Sequence, residues 1–338
     1  MKGFSLEQFM LRAWYQSSPW LKLLRPLSAV YASAMVRRRH RYLNDPERVW
    51  LAPVPVIVVG NITLGGTGKT PMCIWLISYL QSIGLKPGVI SRGYGAEGTE
   101  FPHLVDPQVD TPEQTGDEPL LIARRCAVPV VIDPDRPRAA EYLLASAQVD
   151  VIISDDGLQH YALGRDLEIL ILDAARGLGN ARCLPEGPLR EPAARLRSVD
   201  MVVSNGQAAD DANAFAMTLA PVALVNMRTG DRIPAAQWQG GREVEAVAGI
   251  GNPQRFFNTL KGLSLQPNGH AFADHAQYTP ASFIRCDPGK PLIMTEKDAV
   301  KCTGFARDNW WYLSIDASLS DAFASRLQQC LETALRQR

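Results

Sequence analysis

A glycine-rich stretch that ends in Gly68-Lys69-Thr70 is the part of this sequence best suited to chemistry. It follows an apolar run at 55–59 and precedes a helical pattern with Pro71 in its first turn. Glycines let backbone N–H groups surround an anion, and the helix N-terminus adds its dipole. A lysine can then reach the terminal phosphates, and a threonine hydroxyl can bind Mg²⁺. The pattern predicts a triphosphate-binding loop formed by Thr63, Gly65, Gly66, Thr67, Gly68, Lys69 and Thr70, although Thr63 stands where such loops usually have a glycine.

Two adjacent acids follow the apolar run 151–154. Asp155 and Asp156 stand where a carboxylate can reach a Mg²⁺ ion held by Thr70, so we predict them as metal ligands. The alternative leaves both carboxylates in solvent, because neighbouring negative charges repel each other. Asp173, after the run 168–172, is a rival for this role, but it is a single acid without a neighbouring Gln-His pair.

Polar residues on two further loops also suit phosphate chemistry. Arg92 and Tyr94 lie on a glycine-flanked loop, where they could bind phosphate or substrate, or simply belong to a glycine turn. Asp117 and Glu118 stand at the start of a predicted helix, where N-capping alone would account for one of the two acids.

An arginine–glutamate pair and two histidines complete the candidates. Arg190 and Glu191 lie on a proline-rich loop. The arginine could stabilise charge on a transferring phosphoryl group, or it could form an ordinary surface ion pair. His160 and His275 each have acids nearby in the sequence, an arrangement that can orient a general base. A purely structural role is the alternative for each histidine.

The apolar pattern from residue 54 onward predicts the scaffold that must position these residues. β-type runs alternate with helical patterns, which is typical of an α/β fold with a doubly wound sheet of the P-loop NTPase type. Ligands bind at the carboxyl ends of the strands in such sheets. The predicted strands are Val54–Val59, Pro87–Ser91, Val128–Ile132, Val151–Ser154, Glu168–Leu172, Met201–Ser204 and Ala223–Met227. The predicted helices are Pro71–Ile83, Glu118–Arg125, Arg136–Ser146 and Ala208–Ala216.

The pattern lapses at 228–243, which predicts a linker between a P-loop domain at 46–227 and a smaller C-terminal α/β domain at 228–338. The smaller domain is expected to contain strands Glu243–Ile250, Gly269–Phe272, Leu292–Thr295 and Trp311–Ile315, and helices Gln254–Lys261 and Asp321–Arg336. A helix cap is the default interpretation of Thr295-Glu296-Lys297-Asp298.

The spacing of apolar and basic residues at 1–45 predicts an amphipathic helical segment. Residues 1–48 contain nine Lys or Arg and three Asp or Glu, a net charge of +6, whereas the 338-residue chain is neutral and is therefore not expected to bind nucleic acid generally. The segment could pack on the main domain as a helical pair, or it could bind a membrane surface through apolar and basic residues. Trp14, Tyr15 and Trp20 favour the membrane, because such rings prefer its interface. We expect no cleavable signal peptide, no membrane-spanning helix and six reduced cysteines.

Taken together, these motifs resemble the tetraacyldisaccharide 4'-kinase family of lipid A synthesis. The resemblance runs in order from the N-terminal segment to about residue 300, and the threonine at position 63 is typical of that family. The motifs that carry it are Gly60-Asn61 through Thr70-Pro71, Arg92-Gly93-Tyr94-Gly95, Gly116-Asp117-Glu118-Pro119, Asp155-Asp156-Gly157-Leu158-Gln159-His160, Leu189-Arg190-Glu191-Pro192, Phe272-Ala273-Asp274-His275 and Thr295-Glu296-Lys297-Asp298.

The resemblance implies a monomeric enzyme bound peripherally at the cytoplasmic face of a Gram-negative inner membrane. Such an enzyme transfers the γ-phosphate of ATP, with Mg²⁺, to the 4'-hydroxyl of a tetraacylated glucosamine disaccharide 1-phosphate. The likeness implies that Asp117 is the base, assisted by His275. The remaining roles that it implies are catalytic for Lys69 and Arg190, metal binding for Thr70, Glu118, Asp155 and Asp156, and substrate or phosphate binding for Arg92, Tyr94, Gln159, His160 and Glu191.

Two other classes of protein remain alternatives. The glycine-rich loop also resembles those of switch-type ATPases and metallochaperone GTPases, but those ATPases have a lysine before the glycine pair, where this chain has Leu64. Guanine selectivity would need Asn-Lys-x-Asp, which residues 296–299 do not match. A non-catalytic membrane scaffold would leave the paired acids and Arg190 unexplained.

Overall fold

The computed structural model describes residues 6–16, 18–206 and 214–336. Its α-helices are α1 (Leu6–Tyr15), α2 (Arg25–Leu43), α3 (Lys69–Ser82), α4 (Pro112–Thr115), α5 (Asp117–Cys126), α6 (Arg136–Ser146), α7 (Pro253–Gly262), α8 (Glu296–Ala299) and α9 (Asp321–Arg336). Its strands are β1 (Val56–Gly60), β2 (Pro87–Ser91), β3 (His103–Leu104), β4 (Val130–Ile132), β5 (Val151–Asp155), β6 (Leu167–Asp173), β7 (Met201–Asn205), β8 (Ala214–Asn226), β9 (Arg232–Pro234), β10 (Glu243–Ala248), β11 (Gln266–Ala271), β12 (Leu292–Thr295) and β13 (Trp310–Leu319).

The strands within these ranges form one thirteen-stranded sheet, which confirms the predicted α/β class. Its order is β11-β10-β12-β13-β8-β7-β6-β1-β5-β2-β4-β3, and β9 pairs with β8. β1 runs parallel to both of its neighbours, β5 and β6, and Val59 is in register with Asp155. The loop after β1 and the acids at the end of β5 therefore lie side by side at the carboxyl ends of the strands.

Side chains of β1 alternate between two hydrophobic cores, as the period of two in a strand requires. Ile57 and Val59 pack with residues of α3, α5 and α9 on one face, and Val56 and Val58 pack with residues of α6 on the other. A strand buried on both faces explains why residues 56–59 are continuously apolar. This double burial fixes the direction in which the glycine-rich loop leaves the sheet.

The long strand β8 joins the two parts of the sheet. Its first residues run parallel to β7, and its later residues run antiparallel to β13. Helix α9 then returns from the end of the chain to the first core, where the ring centroids of Trp75 and Phe323 lie 5.4 Å apart. The two predicted α/β units thus share one sheet, and the domain division at 228–243 stays a prediction.

One predicted helix is wrong over the residues that the structure describes. Of the helix predicted at 208–216, residues 208–213 lie outside the described residues, and residues 214–216 belong to β8. Ala214 pairs with Val202 of β7, so pairing at the sheet outweighs the helical preference of an alanine-rich sequence. Four of the other predicted elements have the predicted bounds: Pro87–Ser91, Arg136–Ser146, Leu292–Thr295 and Asp321–Arg336. The rest are present with shifted ends, and the strand predicted at Ala223–Met227 corresponds only to the last four residues of β8.

The N-terminal helices dock on the loop that carries Arg190. Trp14 is buried and its Nε1 donates to the carbonyl of Pro185 at 3.0 Å, while Ser28 Oγ donates to the carbonyl of Cys183 at 2.7 Å. Tyr31 Oη donates to the carbonyl of Arg190 itself at 3.1 Å. Across the described residues, none of the helices combines the length and the apolar character needed to cross a bilayer.

Candidate active site

The glycine-rich loop is held by side chains from both parts of the sheet. Gly68 adopts φ of 99°, and a Cβ at this position would lie 2.6 Å from Asn205 Nδ2, so a glycine is required there. Asn205 Nδ2 donates to the carbonyl of Thr67 at 2.9 Å, and Arg255 Nη2 donates to Asn205 Oδ1 at 2.8 Å. The loop is therefore fixed from β7 and from α7.

Thr63, the unusual residue of the loop, has a structural explanation. It forms an isolated antiparallel bridge with Leu189 and is 2% exposed. On either side, Leu64 N donates to the carbonyl of Pro188 at 2.9 Å, and Arg190 N donates to the carbonyl of Ile62 at 2.7 Å. Residues 62–64 thus behave as a short strand, which brings the proline-rich loop and Arg190 against the phosphate loop.

Asp156 lies between two cations beside this loop. Arg190 Nη1 approaches its carboxylate oxygens at 3.0 and 3.1 Å, and Lys69 Nζ lies 3.6 Å from Oδ1. Burial raises the pKa of Asp156, but Lys69 and Arg190 outweigh burial, so the pKa lies below its usual value. Three predicted site residues therefore meet here, and the carboxylate is ionised at neutral pH.

Asp155 has the opposite electrostatic environment. It is fully buried, and burial together with the negative charge of Glu118 raises its pKa to about 6. Ser91 Oγ donates to Oδ2 at 3.3 Å, and Arg136 Nη2 donates to the backbone carbonyl at 2.9 Å. Negative charge is therefore concentrated at the end of β5, which favours a bound cation.

The side chains of Asp117 and His275 are in contact, although they come from two different parts of the sheet. The predicted pairing requires this contact. Asp117 is the first residue of α5, and His275 lies on the loop after β11. His275 Nδ1 and Asp117 Oδ2 are 3.2 Å apart, and Lys301 Nζ lies 3.4 Å from the same oxygen. Burial raises the pKa of Asp117, but the hydrogen bond from His275 and the charge of Lys301 outweigh it and lower the pKa.

Gln159 and Glu191 belong to a buried polar network behind the phosphate loop. Gln159 Nε2 donates to Glu191 Oε1 at 2.7 Å and to the carbonyl of Asn61 at 3.2 Å. Tyr161 Oη donates to the other carboxylate oxygen of Glu191, and Arg195 Nε lies 3.5 Å from it. These contacts couple the Arg190 loop to the end of β1.

The other three candidates lie around the site. Burial, together with the charges of Arg136 and Arg92, lowers the pKa of His160 to about 3, so this imidazole is neutral at physiological pH. Arg92 is exposed, and Tyr94 is 66% exposed with its ring centroid 5.2 Å from that of His275. Both residues are therefore available to a ligand at the mouth of the site.

A protein-family model described as LpxK: Tetraacyldisaccharide-1-P 4'-kinase matches residues 20–332. The chain belongs to this family. It is therefore an enzyme of the kinase class that acts in lipid A biosynthesis, as the sequence motifs predicted. The alternative of a switch-type ATPase or metallochaperone GTPase is not favoured.

Curated relatives and a solved structure agree with this assignment. The chain is 56% identical over 331 residues to the tetraacyldisaccharide 4'-kinase of Pseudomonas putida strain W619, covering 97% of this chain and 98% of that protein. It is 55% identical over 322 residues to the same kinase of Pseudomonas syringae pv. syringae strain B728a, with coverages of 95% and 97%. A crystal structure of "apo" form LpxK from Aquifex aeolicus in complex with ATP is similar, with a TM-score of 0.78, 28% identity and coverage of 92% of this chain and 99% of that chain.

A cavity of about 250 Å³ lies between the phosphate loop of this kinase and the second part of the sheet. Its lining includes Gly66–Pro71 from the loop, Ile250–Asn252 from the turn before α7, and Thr295–Lys297 from the end of β12 and the start of α8. Arg176 Nη2 donates to the carbonyl of Gly251 at 3.1 Å and so holds this turn near the loop. The cleft thus receives groups from both predicted domains.

Sequence reasoning missed three residues of this cleft that lie outside the family motifs, and it gave Lys297, which lies within one of them, no role at the site. Asn205, Arg176 and Arg255 stabilise the loop or the facing turn, and Lys297 reaches the Asp117–His275 pair. The position of Asn205 directly after the predicted strand Met201–Ser204 was the signal available for this residue. The rival acid Asp173 accepts from its own turn, at Ala175 N and Arg176 N, as a local cap would.

Proposed function

We propose that this kinase transfers the γ-phosphate of ATP to the 4'-hydroxyl of tetraacyldisaccharide 1-phosphate in the cleft beside its phosphate loop. The contact between Asp117 and His275, reached from two parts of the sheet next to that loop, is the observation that carries the proposal. A carboxylate held there can accept a hydroxyl proton. The Aquifex aeolicus LpxK structure, described as a complex with ATP, supports ATP as the donor.

The loop from Thr63 to Thr70 would bind the phosphates of ATP. Gly65, Gly66 and Gly68 have no Cβ, so their backbone N–H groups can come close to a phosphate, as can that of Thr67 between them. Helix α3 begins at Lys69, directly after this loop, and adds its N-terminal dipole. Lys69 and Arg190 supply positive charge, and both already converge on Asp156. In phosphoryl transfer, positioning and neutralisation of charge account for most of the rate enhancement.

Asp117 would act as the base in this transfer. The 4'-oxygen attacks the γ-phosphorus, the bond from that phosphorus to the bridging oxygen breaks, and ADP leaves with the electron pair. The hydroxyl proton passes to the Asp117 carboxylate. His275 supports the carboxylate through its hydrogen bond, and the lowered pKa keeps Asp117 unprotonated before the reaction.

Mg²⁺ would be held by Thr70, Asp155 and Asp156. These residues fit a divalent cation, because Asp155 is buried next to the negative charges of Glu118 and Asp156, and its pKa is raised to about 6. When bound, the ion neutralises charge on the β- and γ-phosphates. Glu118 accepts a hydrogen bond from Lys297 Nζ at 3.1 Å, and its predicted role as a metal ligand remains a prediction outside this proposed set.

The remaining candidates would orient the substrate or the loop. Arg92 and Tyr94, exposed at the mouth of the site, would contact the anionic disaccharide. Gln159 and Glu191 would hold Arg190 and the phosphate loop in place through their buried network. His160 would line the site as a neutral imidazole.

The N-terminal helices would bring this site to the membrane that contains the lipid substrate. The pair docks on the Arg190 loop through Trp14, Ser28 and Tyr31. It leaves Leu23 (81%), Leu27 (61%) and Val30 (70%) exposed. Leu27 and Val30, three residues apart in α2, lie on one helical stripe, and Leu23 lies in the 3-10 turn directly before α2. Arg37, Arg38 and Arg41 are exposed farther along α2 and would attract anionic headgroups.

We expect a triple variant, with Leu23→Glu, Leu27→Glu and Val30→Glu, to lose about 10²-fold in partitioning onto vesicles of anionic phospholipid. The side chains are exposed, so the fold should be unaffected. Vesicle co-sedimentation measures the effect, and Ile284→Glu, at an 85% exposed apolar residue of the other part of the sheet, is the matched control. Equal co-sedimentation of the triple variant and the control would contradict the membrane role.

We further propose that the enzyme works as a monomer at the cytoplasmic face, with two domains at 46–227 and 228–338 that close over ATP. Lys69, Asp117 and His275 all come from one chain, so a second copy is not needed to complete the site. The turn before α7 already approaches the phosphate loop, since a Cβ on Gly251 would lie 3.4 Å from Gly66 N. Closure around such a contact would exclude water from the transfer.

Transfer of label tests the proposed reaction. The purified protein is incubated with γ-labelled ATP, Mg²⁺ and tetraacyldisaccharide 1-phosphate in detergent micelles, and lipid and free phosphate are separated. We expect label on the lipid. Label released only as free phosphate, with none on the lipid, would identify an ATPase and overturn the proposal.

A further inference from the structure

The segment Thr295–Asp298 lies against the Asp117–His275 pair. The predicted helix cap is present, because Thr295 Oγ1 accepts from Asp298 N at 3.1 Å at the start of α8. The cap fixes the first turn of α8 and directs Lys297 toward the cleft. Capping alone therefore does not account for Lys297.

Lys297 Nζ has three acceptors around it. Glu118 Oε1 and Asp274 Oδ1 each lie at 3.1 Å, and His275 Nε2 lies at 3.3 Å. Burial lowers the pKa of Lys297, but the charges of Glu118 and Asp274 outweigh burial and raise the pKa above its usual value. Lys297 is thus a charged ammonium group with three donors and three partners.

We propose that Lys297 is a positioning residue that fixes the tautomer of His275 by donating a hydrogen bond to its Nε2. An ammonium group can only donate, so the nitrogen that faces it must be the unprotonated one. The ring proton is then on Nδ1, which faces Asp117 Oδ2 at 3.2 Å. This inference rests on the proposed function only in taking Asp117 as the base.

The orientation of Asp117 follows from this tautomer. His275 donates from Nδ1 to Oδ2, and Lys301 approaches the same oxygen at 3.4 Å. Lys301 is itself held 3.2 Å from Asp298 Oδ1, to which Tyr278 Oη also donates at 2.9 Å. The donors converge on one carboxylate oxygen, Oδ2, so the other oxygen, Oδ1, is left to accept the substrate proton.

The opposite tautomer would disrupt this arrangement. A proton on Nε2 would point at the ammonium group, and a bare Nδ1 would face the Asp117 carboxylate, so two hydrogen bonds would be replaced by two repulsive contacts. Lys297 therefore keeps the ring of His275 correctly oriented toward Asp117.

The tautomer can be measured directly in the intact enzyme with ¹⁵N-labelled histidine. The chain has five histidines, and the signals lost in His275→Ala identify this residue. We expect wild-type Nδ1 to show the chemical shift of a protonated nitrogen and Nε2 that of an unprotonated one. A wild-type His275 protonated at Nε2 would overturn the proposal without the need for any Lys297 variant.

Kinetics of Lys297→Met, Lys297→Arg and the control Lys290→Met then separate positioning from direct substrate contact. Lys290 is a lysine paired with Glu243 on the same part of the sheet and outside the cleft. We expect Lys297→Met to lower kcat about 10- to 100-fold with little change in the KM for ATP, Lys297→Arg to restore part of the loss, and Lys290→Met to match wild type.

A double variant decides whether Lys297 acts through His275. In the His275→Ala background, Lys297→Met should cause no further loss of kcat. A full additional loss there, or an increased KM for ATP in both backgrounds, would mean that Lys297 contacts the nucleotide instead. If the wild-type enzyme fails to label the lipid, the proposed function fails, while the ¹⁵N measurement still reports on the tautomer.

Discussion

Asp117→Asn should lower kcat for phosphate transfer to the lipid by about 10²- to 10⁴-fold, the usual contribution of a positioned general base. Asparagine keeps the shape of aspartate and can still accept the hydrogen bond from His275, but it does not take up the proton of the 4'-hydroxyl. The KM values for ATP and lipid should change little, because Asp117 accepts the proton only in the transition state and so contributes little to binding of the substrates. Steady-state transfer of label to the lipid measures the effect.

The matched control for this variant is Asp110→Asn. Asp110 is also a buried aspartate paired with a histidine, at 2.7 Å from His103 Nε2, and it lies on the loop before α4. The control should keep the wild-type kcat. A kcat close to wild type in Asp117→Asn would show that the proton leaves by another route.

Lys69→Met should reduce kcat by about 10³-fold and weaken ATP binding. Methionine keeps the apolar stem of lysine but removes the ammonium that would neutralise charge developing between the β- and γ-phosphates. The side chain is 13% exposed, so water cannot fully replace the lost charge. Transfer of label and ATP binding, followed separately, divide the loss between the transition state and the ground state.

Lys86→Met is the control for Lys69→Met, because Lys86 precedes β2 at the opposite end of the strands and its Nζ donates to Gln148. Asp156 should stay ionised in Lys69→Met, since Arg190 still contacts both of its carboxylate oxygens. The loss of kcat can then be attributed to the missing neutralisation of charge on the phosphates. Unchanged transfer by Lys69→Met would mean that the loop binds the nucleotide in another register.

The two predictions differ in how far the sequence supports them. Lys69 can be read from a short local pattern, because strand, glycine turn and helix are contiguous and their geometry is set by backbone preferences. The local sequence around Asp117 indicates only an acidic residue at the start of a helix. Its pairing with His275, 158 positions along the chain, was expected from family resemblance and is visible in the structure as a 3.2 Å contact.

The scaffold was largely predictable because it depends on periodicity. A strand buried on both faces must be continuously apolar, and β1, β5 and β6 were found on that basis. The first residues of β8 were not found from the sequence, because they form a strand through pairing with β7, whereas the alanines in this part of the sequence favour a helix. The place of α9 in the first core also depends on contacts that no local pattern specifies.

By itself, the sequence determined the α/β class and the family, and it predicted the phosphate loop and the acids at the end of β5. These depend on residue types at fixed short spacings. Only the tertiary structure decided which donors face which acceptors: Thr63 as a bridge to Leu189, Arg190 and Lys69 on one carboxylate, and Lys297 on the far nitrogen of His275. The physical reason is that hydrogen bonds and charge pairs act over about 3 Å, and chain folding alone brings such distant residues that close.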